Sequence, residues 1–175
     1  MRENPDGVAG IFRAPPHGLD AIDPLRPALV LIADGVEKPG NIGAMIRTAD
    51  AFGAAFVGAS LATDLYNPNA IRASMGAIFR VPVCAGRSHD VLTWLLEQQF
   101  VIFAARVDGA IDYTRVDYRG KSALVLGSEA SGLTDTWTGP AVTPISLPML
   151  GIADSLNVSA TAAVLCYESL RQRRV

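Results

Sequence analysis

The sequence predicts an α/β domain: a mostly parallel sheet covered by helices on both faces. Three observations predict it. Six short runs of strand length are apolar throughout rather than at every second residue, the pattern of strands buried on both faces. Stretches of helical character lie between them, giving the strand–helix alternation of a parallel sheet. Half of the 175 residues are apolar and only 18% are charged, so disorder is excluded and a sizeable core is expected.

The elements follow in order. Residues 1–26 contain Pro5, Pro15, Pro16 and Pro24 with several glycines, and read as an extended lead-in or linker with one apolar piece, Val8–Phe12. From 27 to 175 the pattern is that of one domain. ALVLIA (28–33) is a first strand, IGAMIRTADAFG (42–53) a helix and AAFVGA (54–59) a second strand. Asn67-Pro68-Asn69 opens a further helix through Ile71 and Met75, with proline where a missing N–H costs least. FRVPV (79–83) is the third strand expected, followed by a helix over 88–99 with Ser88 as its N-cap. FVIFAA (100–105), SALVLG (122–127) and TPISLP (143–148) are three more strands, and the last helix spans roughly 156–172 and ends in the basic tail RQRR.

Composition narrows the function. A net charge of −2 gives no general attraction for nucleic acid, yet 13 arginines against 2 lysines favour bidentate phosphate contacts. Biased codon usage explains that ratio equally well. No uninterrupted apolar run is long enough to span a membrane, and the N-terminus is too broken by Pro and Gly for a signal peptide. Cys84 and Cys166 lie in apolar surroundings, which suits buried thiols in a reducing cytoplasm. His17 and His89 are isolated from both, so no metal site is expected. There is no G-x-G-x-x-G after the first strand, and GSEASG (127–132) lacks the lysine and spacing of a P-loop, which removes dinucleotide dehydrogenases and P-loop ATPases.

In open α/β sheets, ligands collect beyond the carboxyl ends of the strands. Three loops there carry ordered motifs: Asn41-x-Gly43-x-x-x-Arg47-Thr48-Ala49; Leu126-Gly127-x-Glu129-x-x-Gly132-Leu133; and Ile145-x-Leu147-Pro148-Met149-x-Gly151-x-x-x-Ser155-Leu156-Asn157-Val158-Ser159. Together they resemble the three motifs of the SpoU-type (TrmH-like) RNA 2′-O-ribose methyltransferases of the SPOUT superfamily. The resemblance covers about residues 28–170. It implies a deep trefoil knot in the C-terminal part, S-adenosylmethionine as cofactor, a homodimer, and ribosomal or transfer RNA as substrate.

The residues can be weighed one by one. Glycines at 127, 132 and 151 let backbone approach a flat, uncharged ring closely, and Leu126, Ile145, Leu147 and Leu156 can line its slot. The resemblance adds Met149 and Asn157 to the cofactor site, and makes Asn41, Arg47, Glu129, Ser155 and Asn157 the active-site group. Singly, each has a plainer reading. The glycines serve turns, Asn41 caps its helix, Arg47 pairs with Asp50, Glu129 is a solvated turn carboxylate, and Ser155 or Asn157 caps the last helix. Because a guanidinium stays protonated in proteins, Arg47 is best read as clamping phosphate and stabilising developing alkoxide charge. Other arginines (72, 80, 106, 115, 119, 171, 173 and 174) are candidate RNA contacts, or ordinary surface residues.

The chain has no room for a full accessory domain. Its start resembles the stretch joining such a domain to the catalytic one, so a minimal enzyme and an excised catalytic domain both remain open. Two functions from different classes stand: an active RNA 2′-O-methyltransferase, and a non-catalytic RNA-binding or ribosome-assembly protein that keeps the fold. Loss of Arg47 or of the cofactor loop would mark the second, and both are present.

Overall fold

In the computed structural model, residues 13–23, 28–108 and 111–174 are described. The apolar piece Val8–Phe12 lies outside them. The first helix, α1 (Pro39–Phe52), follows strand β1 (Leu29–Asp34). Then come β2 (Ala55–Ala59), α2 (Pro68–Ala73), β3 (Val83–Gly86) and α3 (Ser88–Glu97). The second half runs β4 (Val101–Ala105), the two-residue β5 (Ile111–Asp112), β6 (Ser122–Leu126), β7 (Val142–Ser146) and α4 (Val158–Arg173).

The sheet order is β3-β2-β1-β6-β4-β7-β5, and every pairing is parallel. Alternate residues of each strand therefore feed two cores. On one face Leu29, Leu31, Phe56, Phe103 and Leu124 pack with Met45 and Ile46 of α1 and Leu165 and Cys166 of α4. On the other, Val30, Ile32, Val57, Ile102 and Val125 pack with Val91 and Leu95 of α3 and with Trp137. Burial of both faces explains why the strands are apolar throughout. Gly43 lets α1 lie close on α2, because a Cβ there would run into Ala70, Ala73 and the Ser74 backbone.

Several boundaries differ from those expected. The third strand begins at Val83, not Phe79. Gly76 (φ 85°) turns the chain into a 3-10 turn at Ala77–Phe79, and the amides of Arg80 and Val81 both donate to Ala77 O, which keeps 77–81 coiled. Ser88 is the first residue of its helix rather than the N-cap, a position held by Arg87. Asn41 is likewise not a cap, because α1 begins two residues earlier at Pro39. The lead-in is partly built into the domain. The Ala85 amide donates to His17 O, Cys84 Sγ donates to Gly18 O, and Ile22 is buried against β2 and β3 neighbours.

Both thiols are buried and free, and burial pushes each up to about 12. No helix among the described residues is long and apolar enough to cross a membrane.

The basic tail has a structural role. Arg173 Nη2 donates to Ala28 O and Gly120 O, and its Nε donates to Ser169 Oγ. Gln172 accepts from the Tyr118 amide and donates to Val116 O, while Arg171 forks onto Glu168. Of the tail's arginines, 173 thus closes the end of α4 onto the start of β1 and β6. Arg173→Ala should lower unfolding stability by about 1.5 kcal/mol, the scale of hydrogen bonds to a charged group. Arg174→Ala, whose side chain is exposed, should change it by less than about 0.5 kcal/mol. Urea unfolding of the two variants measures the difference.

Candidate active site

Because all strands run the same way, their carboxyl ends share one edge of the sheet. The loops after β4, β6 and β7, which are neighbours in the sheet, enclose a cavity of about 480 Å³ there. Leu126, Gly127, Glu129, Gly132, Leu147, Met149, Ser155 and Leu156, all singled out from the sequence, lie on its wall.

The loop after β6 is folded back on itself. Ser128 and Gly132 exchange both backbone hydrogen bonds at 3.0 Å, and Ser128 Oγ accepts from the Ser131 amide. Gly132 has φ 68°, a left-handed conformation that favours glycine. A Cβ at Gly127 would collide with the Gly132 carbonyl and the Leu133 nitrogen. Both glycines are therefore required by the loop's own fold. Gly151 differs: a Cβ there would meet nothing within 4 Å.

Other residues take different places. Ile145 is fully buried behind the cavity, and its carbonyl accepts from the Arg106 amide at 2.8 Å, fixing the loop after β4. That loop contributes Ala105, Arg106, Val107 and Asp108 to the wall, a part of the site the motifs do not indicate. A signal for it is present, since it follows a strand at the same sheet edge. Arg106 forks onto Asp108 at 2.8 Å through both Nε and Nη2, and this holds the Asp108 carboxyl below the usual carboxylate range. Asp108, Glu129 and Asp154 against Arg106 leave the wall with a surplus of negative charge. A cationic ligand suits such a wall.

Asn41, Glu129 and Asn157 come together beside the cavity. Asn157 Nδ2 donates to Asn41 Oδ1 at 3.4 Å, and Asn41 Nδ2 donates to Glu129 Oε1. Lys38 Nζ stands 4.0 Å from the same carboxylate oxygen. Asn157 is also the N-cap of α4, accepting from the Ser159 amide at 3.0 Å, so one side chain both starts the helix and joins the cluster. Ser155 Oγ donates to Asp154 Oδ1 at 3.3 Å.

Arg47 stands apart. It is exposed on α1 and, among the described residues, makes no hydrogen bond or ion pair. Asp50 lies 3.9 Å from Arg80 instead, so the plain Arg47–Asp50 pair is not formed. Six residues from Asn41, Arg47 points about 120° round the helix from it. Among the described residues no group of three or more His, Cys, Asp or Glu side chains is placed to hold a metal.

This arrangement of three ordered loops on one sheet edge has close counterparts among known proteins. The SpoU rRNA methylase family matches residues 28–167. The chain belongs to that family. It is 33% identical over 178 residues to a 23S rRNA (uridine(2479)-2′-O)-methyltransferase of Streptomyces viridochromogenes, covering 98% of this chain and 62% of the relative. It is 34% identical to the tRNA (guanosine(18)-2′-O)-methyltransferase of Escherichia coli strain K12, covering 85% of this chain and 66% of that protein. The solved structure of the SpoU methyltransferase AviRb from Streptomyces viridochromogenes in complex with the cofactor AdoMet superposes with a TM-score of 0.84 at 32% identity. That match covers 91% of this chain and 63% of AviRb. The chain thus spans less than two thirds of the length of these relatives.

Within this SpoU-family site the two glycines give a direct test. Gly127→Ala forces the 127–133 loop open and should lower the melting temperature by several degrees, on the order of 1–3 kcal/mol for an overpacked position. Gly151→Ala should leave it unchanged. Differential scanning calorimetry of both variants checks the contrast.

Proposed function

We propose that this chain is an S-adenosylmethionine-dependent methyltransferase that modifies a ribose 2′-hydroxyl of ribosomal or transfer RNA. The observation that carries the reading is the Asn157–Asn41–Glu129 cluster. It joins residues of all three motifs, and its Glu129 is also part of the cavity wall.

The residues present fit the cofactor. A volume of about 480 Å³ is within the usual range for small-molecule sites. Leu126, Leu147 and Leu156 supply apolar surface for a flat ring, and the surplus of carboxylates complements a sulfonium and an ammonium. S-adenosylmethionine, when bound, supplies an already activated methyl group. What remains for the chain is to place the acceptor hydroxyl and handle its charge. The amides of Asn41 and Asn157 offer donors and acceptors that orient a ribose, and Glu129 with Lys38 holds Asn41 in place. Arg47 remains charged, grips the neighbouring phosphate and stabilises the alkoxide as it forms, while the proton passes to a phosphate oxygen.

Arg47 points away from Asn41 in its own protomer, which supports a homodimer in which Arg47 of one protomer serves the site of the other. The exposed side chains of Met75, Phe79 and Tyr167 offer apolar surface for such an interface. Membership of the SpoU family supports the C-terminal knot. Residues 27–175 are then the catalytic domain, with 1–26 leading into it. The buried, free thiols and an RNA substrate agree with a cytoplasmic enzyme.

Mapping 2′-O-methylated riboses in the parent organism, with and without the gene, tests the function. One mark in ribosomal or transfer RNA should disappear and return on complementation. Complementation with Arg47→Ala should restore less than about 1% of it, the scale of losing a charge-stabilising donor, with S-adenosylmethionine binding kept. Full restoration by Arg47→Ala would overturn the role given to it. If no mark is lost and the cofactor does not bind, the chain is a non-catalytic RNA-binding protein instead.

A further inference from the structure

A second polar cluster lies behind the cavity. Asp34, the last residue of β1, is fully buried and has no cation beside it among the described residues. One carboxylate oxygen, Oδ2, accepts from the backbone amide of Thr134 at 3.0 Å, and the other accepts from Ser88 Oγ at 2.5 Å. Ser88 continues the chain, its Oγ 2.9 Å from Ser60 Oγ and its amide donating to the same Ser60 oxygen at 3.0 Å. A serine has one hydroxyl proton and a carboxylate only accepts, so the Ser88 proton goes to Asp34 and Ser60 supplies the proton between the serines.

The backbone is bent to allow this. Ser60 sits at φ 46°, an uncommon conformation for a residue other than glycine, and its amide donates to Gly86 O at 2.8 Å. Gly35, directly after Asp34, is also left-handed at φ 62°. The cluster thereby ties the carboxyl ends of β1, β2 and β3 and the first turn of α3 to residue 134. A buried carboxylate is costly unless it is fully hydrogen-bonded, and an apolar residue would fill the space with less penalty. Two acceptors on one side chain suit the two donors that converge here.

Thr134 directly follows Leu133, which lines the cavity and whose nitrogen packs over Gly127. We propose that Asp34 is a positioning residue for the cofactor: by holding the Thr134 amide it keeps the 127–133 loop in the shape that forms the cavity wall. The inference rests on the reading that this cavity takes S-adenosylmethionine.

Thr134 has φ −69°, the angle proline enforces, so Thr134→Pro keeps that backbone angle. It deletes the N–H donor and sets its ring carbon against Asp34 Oδ2, breaking the contact from the loop side with Ser88 and Ser60 unaltered in sequence. Calorimetric binding of S-adenosylmethionine to the full chain, with melting temperatures measured alongside, tests the proposal. Thr134→Pro should weaken binding about tenfold, the effect of about 1.4 kcal/mol. Asp34→Ala should weaken it at least as much. Asp34→Asn can accept from Thr134 and donate to Ser88, and should keep affinity within about threefold. If Asp34→Ala does not fold, Thr134→Pro and Asp34→Asn decide the matter. Unchanged affinity in Thr134→Pro, whatever its melting temperature, would overturn the proposal alone. No binding by the unaltered chain would overturn the cavity assignment and this proposal with it.

Discussion

Parallel pairing throughout the sheet is the constraint on which the rest depends. It puts the carboxyl ends of all its strands on one edge, so segments far apart in sequence meet there without any of them reaching far. The order β6-β4-β7 then places three loops side by side, and these enclose the cavity. Such a sheet must be buried on both faces, which explains a chain that is half apolar. Polar chemistry is left to the edge.

Charge is distributed to match. Several arginines are neutralised where they stand: Arg87 by Asp90, Arg106 by Asp108, Arg119 by Asp117 and Arg171 by Glu168. Arg173 is held by backbone carbonyls. Arg47 is left uncommitted on the surface of α1, which leaves it available for the phosphate contact proposed above. The cavity carries the opposite sign. Under the proposed function, that separation serves to keep an anionic polymer outside and to draw a cationic cofactor in.

Much of this is legible in the sequence. Apolar runs of strand length locate five of the six strands expected, and the end of such a run already puts Leu126 and Gly127, or Leu147, at a strand's carboxyl end, with Gly132 in the loop beyond. What escapes has physical causes. The third strand is expected too early because apolar residues at 79–83 read alike in a strand or a 3-10 turn, and Gly76 decides between them. The two-residue β5 is too short for any periodicity. Asp34, Ser60, Ser88 and Thr134 look like unrelated loop polar residues, because their contacts cross up to 100 positions of sequence. Arg106 and Asp108 are visible as a charged pair after a strand, but only the fold puts that strand next to β6 and β7.

On the proposed function, the loops after β4, β6 and β7 form one cofactor site opening on the Asn157–Asn41–Glu129 cluster. A crystal structure of the chain with S-adenosylmethionine tests it most directly. The cofactor should lie between the 126–133 and 147–156 segments, with its methyl group facing that cluster. A cofactor bound elsewhere on the chain, or seated here with its methyl group turned away from Asn41, would contradict it.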